Sequence, residues 1–239
     1  MTPPAATPRN WAIVAAAGQG RRMDAERPKQ YLQLAGATVL EHALRPLLSH
    51  PRISGIVVVL APGDKFWPQL PIATAPRLQT TVGGDARQHS VLNGLNALES
   101  KAAAEDWILV HDAARPCLDT QALEALMAAV QDDRVGGLLG VPLTDTLKRA
   151  DTAGLHCEST LERKGLWCAQ TPQMFRYDLL RFALSQALTQ GSGVTDEAQA
   201  VEALGHRPRL VRGSPHNIKI THPADLVLAE ALLRAATTR

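Results

Sequence analysis

The sequence predicts an α/β fold of three layers, a mostly parallel sheet with helices on both faces and a protruding β-hairpin arm. Three observations predict it. Short β-branched runs recur at wide intervals, helical patterns lie between them, and the unusual residues gather in loops where such strands would end. The runs WAIVAAAG, ISGIVVVLAP, RLQTTVGG, DWILVHDAARP and VGGLLGVPL are too short for core helices, and most end in Gly or Pro, so they read as buried strands. Helices are expected over Val39–Ser49, Arg87–Leu98 and Thr120–Gln131, with Pro46 kinking or ending the first. In the third, Asp119 is placed as N-cap, and Leu123, Leu126, Met127 and Val130 share one face. The rhythm breaks between Leu143 and Phe175, where polar TLKRA and HCESTLER flank DTAG. This reads as a two-stranded arm, about residues 144–175, around a turn at Gly154. An isolated hairpin is marginal in water, so the arm is expected to pack on a partner. A helix over Tyr177–Thr189 follows, then one N-capped by Thr195 and stopped by Gly205, a strand at RLVRG, and a last helix from about Pro223. No repeat or linker divides the chain, which reads as a single domain over 1–239 with residues 1–10 disordered.

Composition narrows the function. The chain has 239 residues, and 25 Lys+Arg against 23 Asp+Glu give a formal net charge of +2. That is no overall field for nucleic acid or a membrane surface, so any anion is bound locally. Cys117, Cys157 and Cys168 are an odd set without C-x-x-C spacing, which argues against a disulfide framework or structural zinc. Residues 1–10 lack the apolar segment of a signal peptide, and no run approaches the roughly 20 apolar residues of a membrane span, so a reducing, cytoplasmic setting is expected.

The segment AAAGQGRRMDAERPKQY, residues 15–31, sets Gly18 and Gly20 among several cations. Glycines allow close backbone approach, and exposed amides can cradle phosphate oxygens. The segment is not G-x-x-x-x-G-K-[ST], and Met23 stands where a dinucleotide loop needs its third glycine. The second strand meets its first acid only at Asp64, which weakens the dinucleotide reading further. What remains is a polyphosphate loop in which Arg22 and Lys29 could both reach a phosphorus under attack, with Pro28 stiffening the backbone before Lys29. For Arg21 and Arg27 a solvated surface role stays open.

The ordered motifs AAAGQGRRM…RPKQY, GGDARQHSV, VHDAARP, TLKRA, ERKGLW, TPQMF, VTDEA and NIKITHPAD give the chain, from residue 11 to about 233, a specific resemblance. It resembles the 2-C-methyl-D-erythritol 4-phosphate cytidylyltransferase family. The resemblance implies a Rossmann-like nucleotidyltransferase fold, and transfer of a cytidylyl group from CTP to methylerythritol phosphate with release of pyrophosphate, in non-mevalonate isoprenoid precursor synthesis. It implies CTP binding by Ala16, Ala17, Gly18, Gly20, Arg22, Lys29, Gly84, Asp85, Arg87, Ser90, Ala113 and Ala114, with Arg22 and Lys29 catalytic. For the sugar phosphate it implies Asp112, Arg115, Arg163, Thr171, Thr195 and Lys219. It also implies Mg²⁺ bound mainly through the CTP phosphates, with no protein side chain assigned as a metal ligand, and a homodimer whose arms complete each other's active sites.

Plainer roles compete at several positions: Asp85 as a helix cap, Ser90 solvated, Asp112–Arg115 as a local ion pair, Arg163 on a polar strand face, Lys219 as a strand-end charge. His89 and His111 are expected in supporting roles and Trp107 and Trp167 in packing, since a phosphate nucleophile needs no base. The nearest alternative activity is transfer to ribulose or ribitol 5-phosphate. Outside the class stand a dinucleotide-dependent oxidoreductase and a non-catalytic nucleotide-binding module. With nothing after residue 239, fusion to the next cyclase of the pathway is not expected.

Overall fold

A computed structural model describes residues 7–18 and 27–237. Its strands, in chain order, are β1 (Asn10–Ala16), β2 (Gln33–Leu34), β3 (Ala37–Thr38), β4 (Ile53–Leu60), β5 (Leu78–Val82), β6 (Trp107–Asp112), β7 (Gly136–Pro142), β8 (Leu147–Ala150), β9 (Cys157–Leu161), β10 (Trp167–Arg176) and β11 (Arg209–Arg212). Its helices are α1 (Val39–Ser49), α2 (Arg87–Asn96), α3 (Thr120–Val130), α4 (Tyr177–Thr189), α5 (Glu197–Glu202) and α6 (Pro223–Thr237). Among the described residues a seven-stranded sheet runs β11-β7-β10-β6-β1-β4-β5. β1, β4, β5 and β6 pair in parallel, while β10 is antiparallel to both β6 and β7.

Alternation along the strands makes the three layers. Ala12, Val14, Val58 and Leu109 face α1 and α3, meeting Leu40, Leu44, Leu47, Leu123 and Leu126. Ile13, Val57, Val59, Ile108 and Val110 face the other way, onto Val91 and Leu95 of α2 and Leu180 and Leu184 of α4. These side chains are all fully buried, and each Val, Leu and Ile among them contributes about 1.5–3 kcal/mol against exposure. The strand order matters for function. From β1 the chain moves outward to β4 and β5, then returns to place β6 on β1's other side. Between the carboxyl ends of β1 and β6 lies the crevice where open α/β sheets bind ligands.

Several expectations need correction. Asn10 belongs to β1 and the Arg9 backbone N–H bonds Asp106, so residues 9 and 10 are ordered. Pro46 does not end α1, which runs on to Ser49 and begins at a Thr38–Glu41 capping box. The helix expected from Thr195 starts later, with Asp196 as its cap through Oδ1 and the Gln199 N–H. The arm is shorter than 144–175. Among the described residues β8 and β9 pair only with each other, around a turn with Gly154 at φ +72°, whereas β10 re-enters the central sheet. The arm reading overran because Gln170, Thr171 and Gln173 of β10 are polar yet buried, so the hydrophobic alternation of a core strand is missing.

Candidate active site

β1 ends in Ala15 and Ala16 and β6 in His111 and Asp112, and the Ala113 N–H closes across the gap to Ala15 O at 3.3 Å. Around this crevice Ala17, Gly18, Lys29, Gly84, Asp85, Arg87, Ser90, Asp112, Ala113, Ala114 and Lys219 line a cleft of about 800 Å³. Ala16 is buried beneath it and accepts a hydrogen bond from Gln30 Nε2 at its carbonyl. Gly20 and Arg22 lie outside the described residues. Arg27 turns away, its guanidinium 5.7 Å from the centre of the Phe66 ring.

The cleft wall beyond β5 is tightly packed. A Cβ on Gly83 would come within 2.6 Å of Ala17 Cβ and 2.7 Å of Ser90 Oγ, so only glycine lets β5's exit lie against β1's. Ser90 is buried, its hydroxyl accepting from Gly84 N–H at 3.1 Å and donating to Ala86 O, so the solvated reading of Ser90 is overturned. Ala86, not Asp85, is the N-cap of α2, and Asp85 is left exposed on the rim.

The floor is ionic. Asp112 Oδ1 accepts from Arg87 Nε at 3.1 Å, and its Oδ2 pairs with Lys219 Nζ at 2.9 Å and Arg115 Nε at 3.6 Å. The local Asp112–Arg115 pair is therefore real, as one member of a larger network. Burial alone would raise the Asp112 carboxyl, but Arg87, Lys219 and Arg115 together hold it well below the usual carboxylate range. Arg87 gives its remaining nitrogens to Glu197, at 2.5 and 3.0 Å. Burial works against the Arg87 charge, yet the two carboxylates outweigh it and keep the guanidinium above its ordinary value.

Lys29 and Lys219 approach from opposite ends of the chain. Lys29 Nζ donates at 2.7 Å to the carbonyl of Ile220, the residue after Lys219. Behind Asp112 sits a relay of neutral groups. The Asp112 N–H donates to Thr171 Oγ1 at 3.0 Å, and His111 Nδ1 lies 3.0 Å from that same hydroxyl. His111 Nε2 lies 3.2 Å from Arg115 O, a carbonyl that can only accept. The network thus assigns the proton to Nε2 and makes Nδ1 the acceptor for the Thr171 hydroxyl. Burial lowers the His111 pKa to about 4, so the ring is neutral and cannot serve as a base from inside the core.

Two of the sequence-derived residues stand away from the cleft. Thr195 is exposed and its hydroxyl donates to Gln199. Arg163 lies not in the hairpin strands but in the turn between β9 and β10, exposed and bonded to Thr144 O. Sequence reasoning missed Ala61 and Pro62, which line the cleft just past β4 and which the strand-end rule could have supplied. It also missed Glu197, two positions beyond Thr195 in the same VTDEA motif.

The sequence profile of the family described as 2-C-methyl-D-erythritol 4-phosphate cytidylyltransferase matches residues 11–235. A protein of that description from Dechloromonas aromatica is 52% identical over 230 residues, covering 95% of this chain and 99% of its own. Its counterpart from Pseudomonas putida is 51% identical over 220 residues, covering 92% and 93%. Among solved structures the chain is similar to a crystal structure of 4-diphosphocytidyl-2C-methyl-D-erythritol synthase, with a TM-score of 0.83 and 40% identity across 96% of this chain and 100% of that one.

Proposed function

The chain belongs to the 2-C-methyl-D-erythritol 4-phosphate cytidylyltransferase family, and we propose that the cleft between β1 and β6 is where it works. The reaction is transfer of a cytidylyl group from CTP to 2-C-methyl-D-erythritol 4-phosphate, a step of isoprenoid precursor synthesis. A phosphate oxygen of the acceptor forms a bond to the α-phosphorus of CTP, the bond from that phosphorus to the β-phosphate bridge oxygen breaks, and pyrophosphate leaves with the electron pair.

The observation that carries this reading is the convergence of Lys29, Lys219 and Arg87 on one cleft at the switch point, the last two paired with Asp112. The nucleophile is a phosphate monoester with a second pKa of about 6, already largely dianionic near neutral pH, so no general base is needed. The barrier is repulsion between that dianion and the triphosphate, which fixed cations lower in the transition state. Arg22 and Lys29 take that role at the triphosphate, while the backbone N–H groups at Ala17 and Gly18 donate to phosphate oxygens brought close to them. Gly84, Asp85 and Ser90 form the nucleoside wall. Lys219, with Arg163, holds the acceptor's phosphate, and Thr171 and Arg115 fix the strand ends behind Asp112.

Two carboxylates, Asp85 and Asp112, line the described part of the cleft, and no group of three or more His, Cys, Asp or Glu able to hold a metal occurs among the described residues. This donor set fits a Mg²⁺ ion carried by the triphosphate better than a resident metal. Such an ion would supply charge neutralisation at the phosphates. The β8–β9 arm, with Leu155 79% exposed at its tip, suits a homodimer in which Arg163 serves the partner's cleft. No described helix is long and apolar enough to cross a membrane.

Pyrophosphate release from CTP and Mg²⁺, measured across methylerythritol, ribulose and ribitol phosphates, tests the assignment. Turnover should be confined to methylerythritol phosphate and abolished by EDTA. Comparable rates with ATP, or preference for a pentose or pentitol phosphate, would overturn it.

A further inference from the structure

We propose that Glu197 is a positioning residue for the transfer reaction: through Arg87 and Asp112 it sets the ammonium of Lys219 at the cleft floor. The inference rests on the reading that Lys219 holds the acceptor's phosphate. Glu197 is fully buried at the start of α5, yet its carboxylate caps nothing there, since Asp196 performs that task. Both its oxygens go to the Arg87 fork, at 2.5 and 3.0 Å, leaving Arg87 only Nε for Asp112. That division of labour matters for Asp112. With Arg87 confined to Oδ1, the other oxygen is open to Lys219 at 2.9 Å.

Remove the Glu197 charge and two things follow. The Arg87 fork, buried with two nitrogens unmatched, has Asp112 as its nearest remaining carboxylate and would close on it bidentately, as guanidinium groups do. Lys219 would then lose its partner to Arg87. The network also changes sign balance. Glu197 and Asp112 carry two negative charges against Arg87, Arg115 and Lys219, a surplus of one positive charge. Without Glu197 the surplus is two, with Arg87 and Lys219 pushed apart across a single carboxylate. Burial pushes the Glu197 carboxyl above its usual value against the opposing pull of Arg87, and the two-point contact at 2.5 and 3.0 Å is the geometry of a carboxylate on a guanidinium fork.

A purely structural role for Glu197 would lower stability and the amount of active enzyme while leaving both Michaelis constants alone. Positioning has a different signature. Glu197→Gln should raise KM for the sugar phosphate about tenfold and leave KM for CTP within about twofold. Glu197→Asp retains the buried charge but withdraws it by one methylene, so about threefold in the same constant is expected, and it serves if the Gln variant does not fold. The decisive measurement is a double-mutant cycle. In a Lys219→Met background, adding Glu197→Gln or Glu197→Asp should cost less than about twofold, because the group being positioned is gone.

The same factor in both backgrounds, or an unchanged acceptor KM in both Glu197 variants, would overturn the inference while leaving the role of Lys219 standing. An acceptor KM unchanged in Lys219→Met itself would instead remove the reading beneath it, and the inference with it.

Discussion

The cleft floor and the β8–β9 arm both present cations, and they hold them in opposite ways. At the floor, Asp112 is 7% exposed and binds three cations, one of which is braced from behind by a fully buried Glu197. Beside the arm, Arg163 is exposed and bonded to a single backbone carbonyl. A network built on buried carboxylates is fixed at folding, because Asp112 or Glu197 left unpaired would be a buried charge. A cation in an exposed turn costs nothing to leave idle and acquires a fixed position only when something packs on it. The floor is therefore finished within one chain, whereas the arm, on the homodimer proposed above, would take its partner from a second copy.

The sharpest way to break this comparison is to remove one group from each region. Asp112→Asn leaves Arg115 and Lys219 facing a neutral amide and Arg87 with Glu197 alone, and loss of one partner from a buried ionic cluster costs about 3–5 kcal/mol. Arg163→Ala, on an exposed turn, should change stability by no more than about 0.5 kcal/mol. Urea unfolding of both variants measures the difference, and equal midpoints would mean that the floor is no more rigid than the exposed turn.

Next in size is the effect expected from the two cations proposed for the triphosphate. Arg22→Ala or Lys29→Ala should lower kcat by two or more orders of magnitude, if each supplies about 3 kcal/mol of stabilisation present only in the transition state. Steady-state kinetics with saturating CTP and acceptor would show it. An undiminished kcat with a raised KM for CTP would reduce these residues to ground-state binders.

The floor was less legible in the sequence than the fold around it. β-branched runs ending in Gly or Pro give away β1, β4 and β6, because their burial on both faces leaves a continuous apolar signature. β10 leaves none, since Gln170, Thr171 and Gln173 are buried on hydrogen bonds instead of apolar contact. Lys29 and Lys219 were found through short motifs, but nothing local in VTDEA says that Glu197 turns inward to Arg87 while Thr195 turns outward to Gln199. Periodicity reads which face a residue takes on a regular element. It does not read a pairing between residues 110 apart in sequence.

A smaller effect tests the neutral relay behind the floor. The His111 pKa is lowered to about 4 from a usual 6.5, so in the interval between them the unfolded chain binds a proton that the folded chain refuses. Stability from this group is complete above the unfolded value and is lost as pH falls toward the folded one, by about 2 kcal/mol between pH 7 and pH 5. Denaturant unfolding across that range should show this slope in the native protein and a flatter one in His111→Gln. An identical slope would mean that the ring is not the buried neutral group of the relay.

The smallest effect, a partial recovery, bears on the arm. Suppose Arg163 reaches across a two-fold axis while Arg22 serves its own chain. A mixed dimer of Arg22→Ala and Arg163→Ala subunits then has one site with both defects and one with neither. Random re-pairing of equal amounts makes about half of all dimers mixed, so about a quarter of all sites are native. Activity should rise on co-refolding from near zero to roughly a quarter of the unsubstituted enzyme. If Arg163 served its own chain, every site in every dimer would keep one defect. Subunit exchange verified by mass, with no activity regained, would place Arg163 and Arg22 on the same chain's site and make the arm an independent feature of the surface.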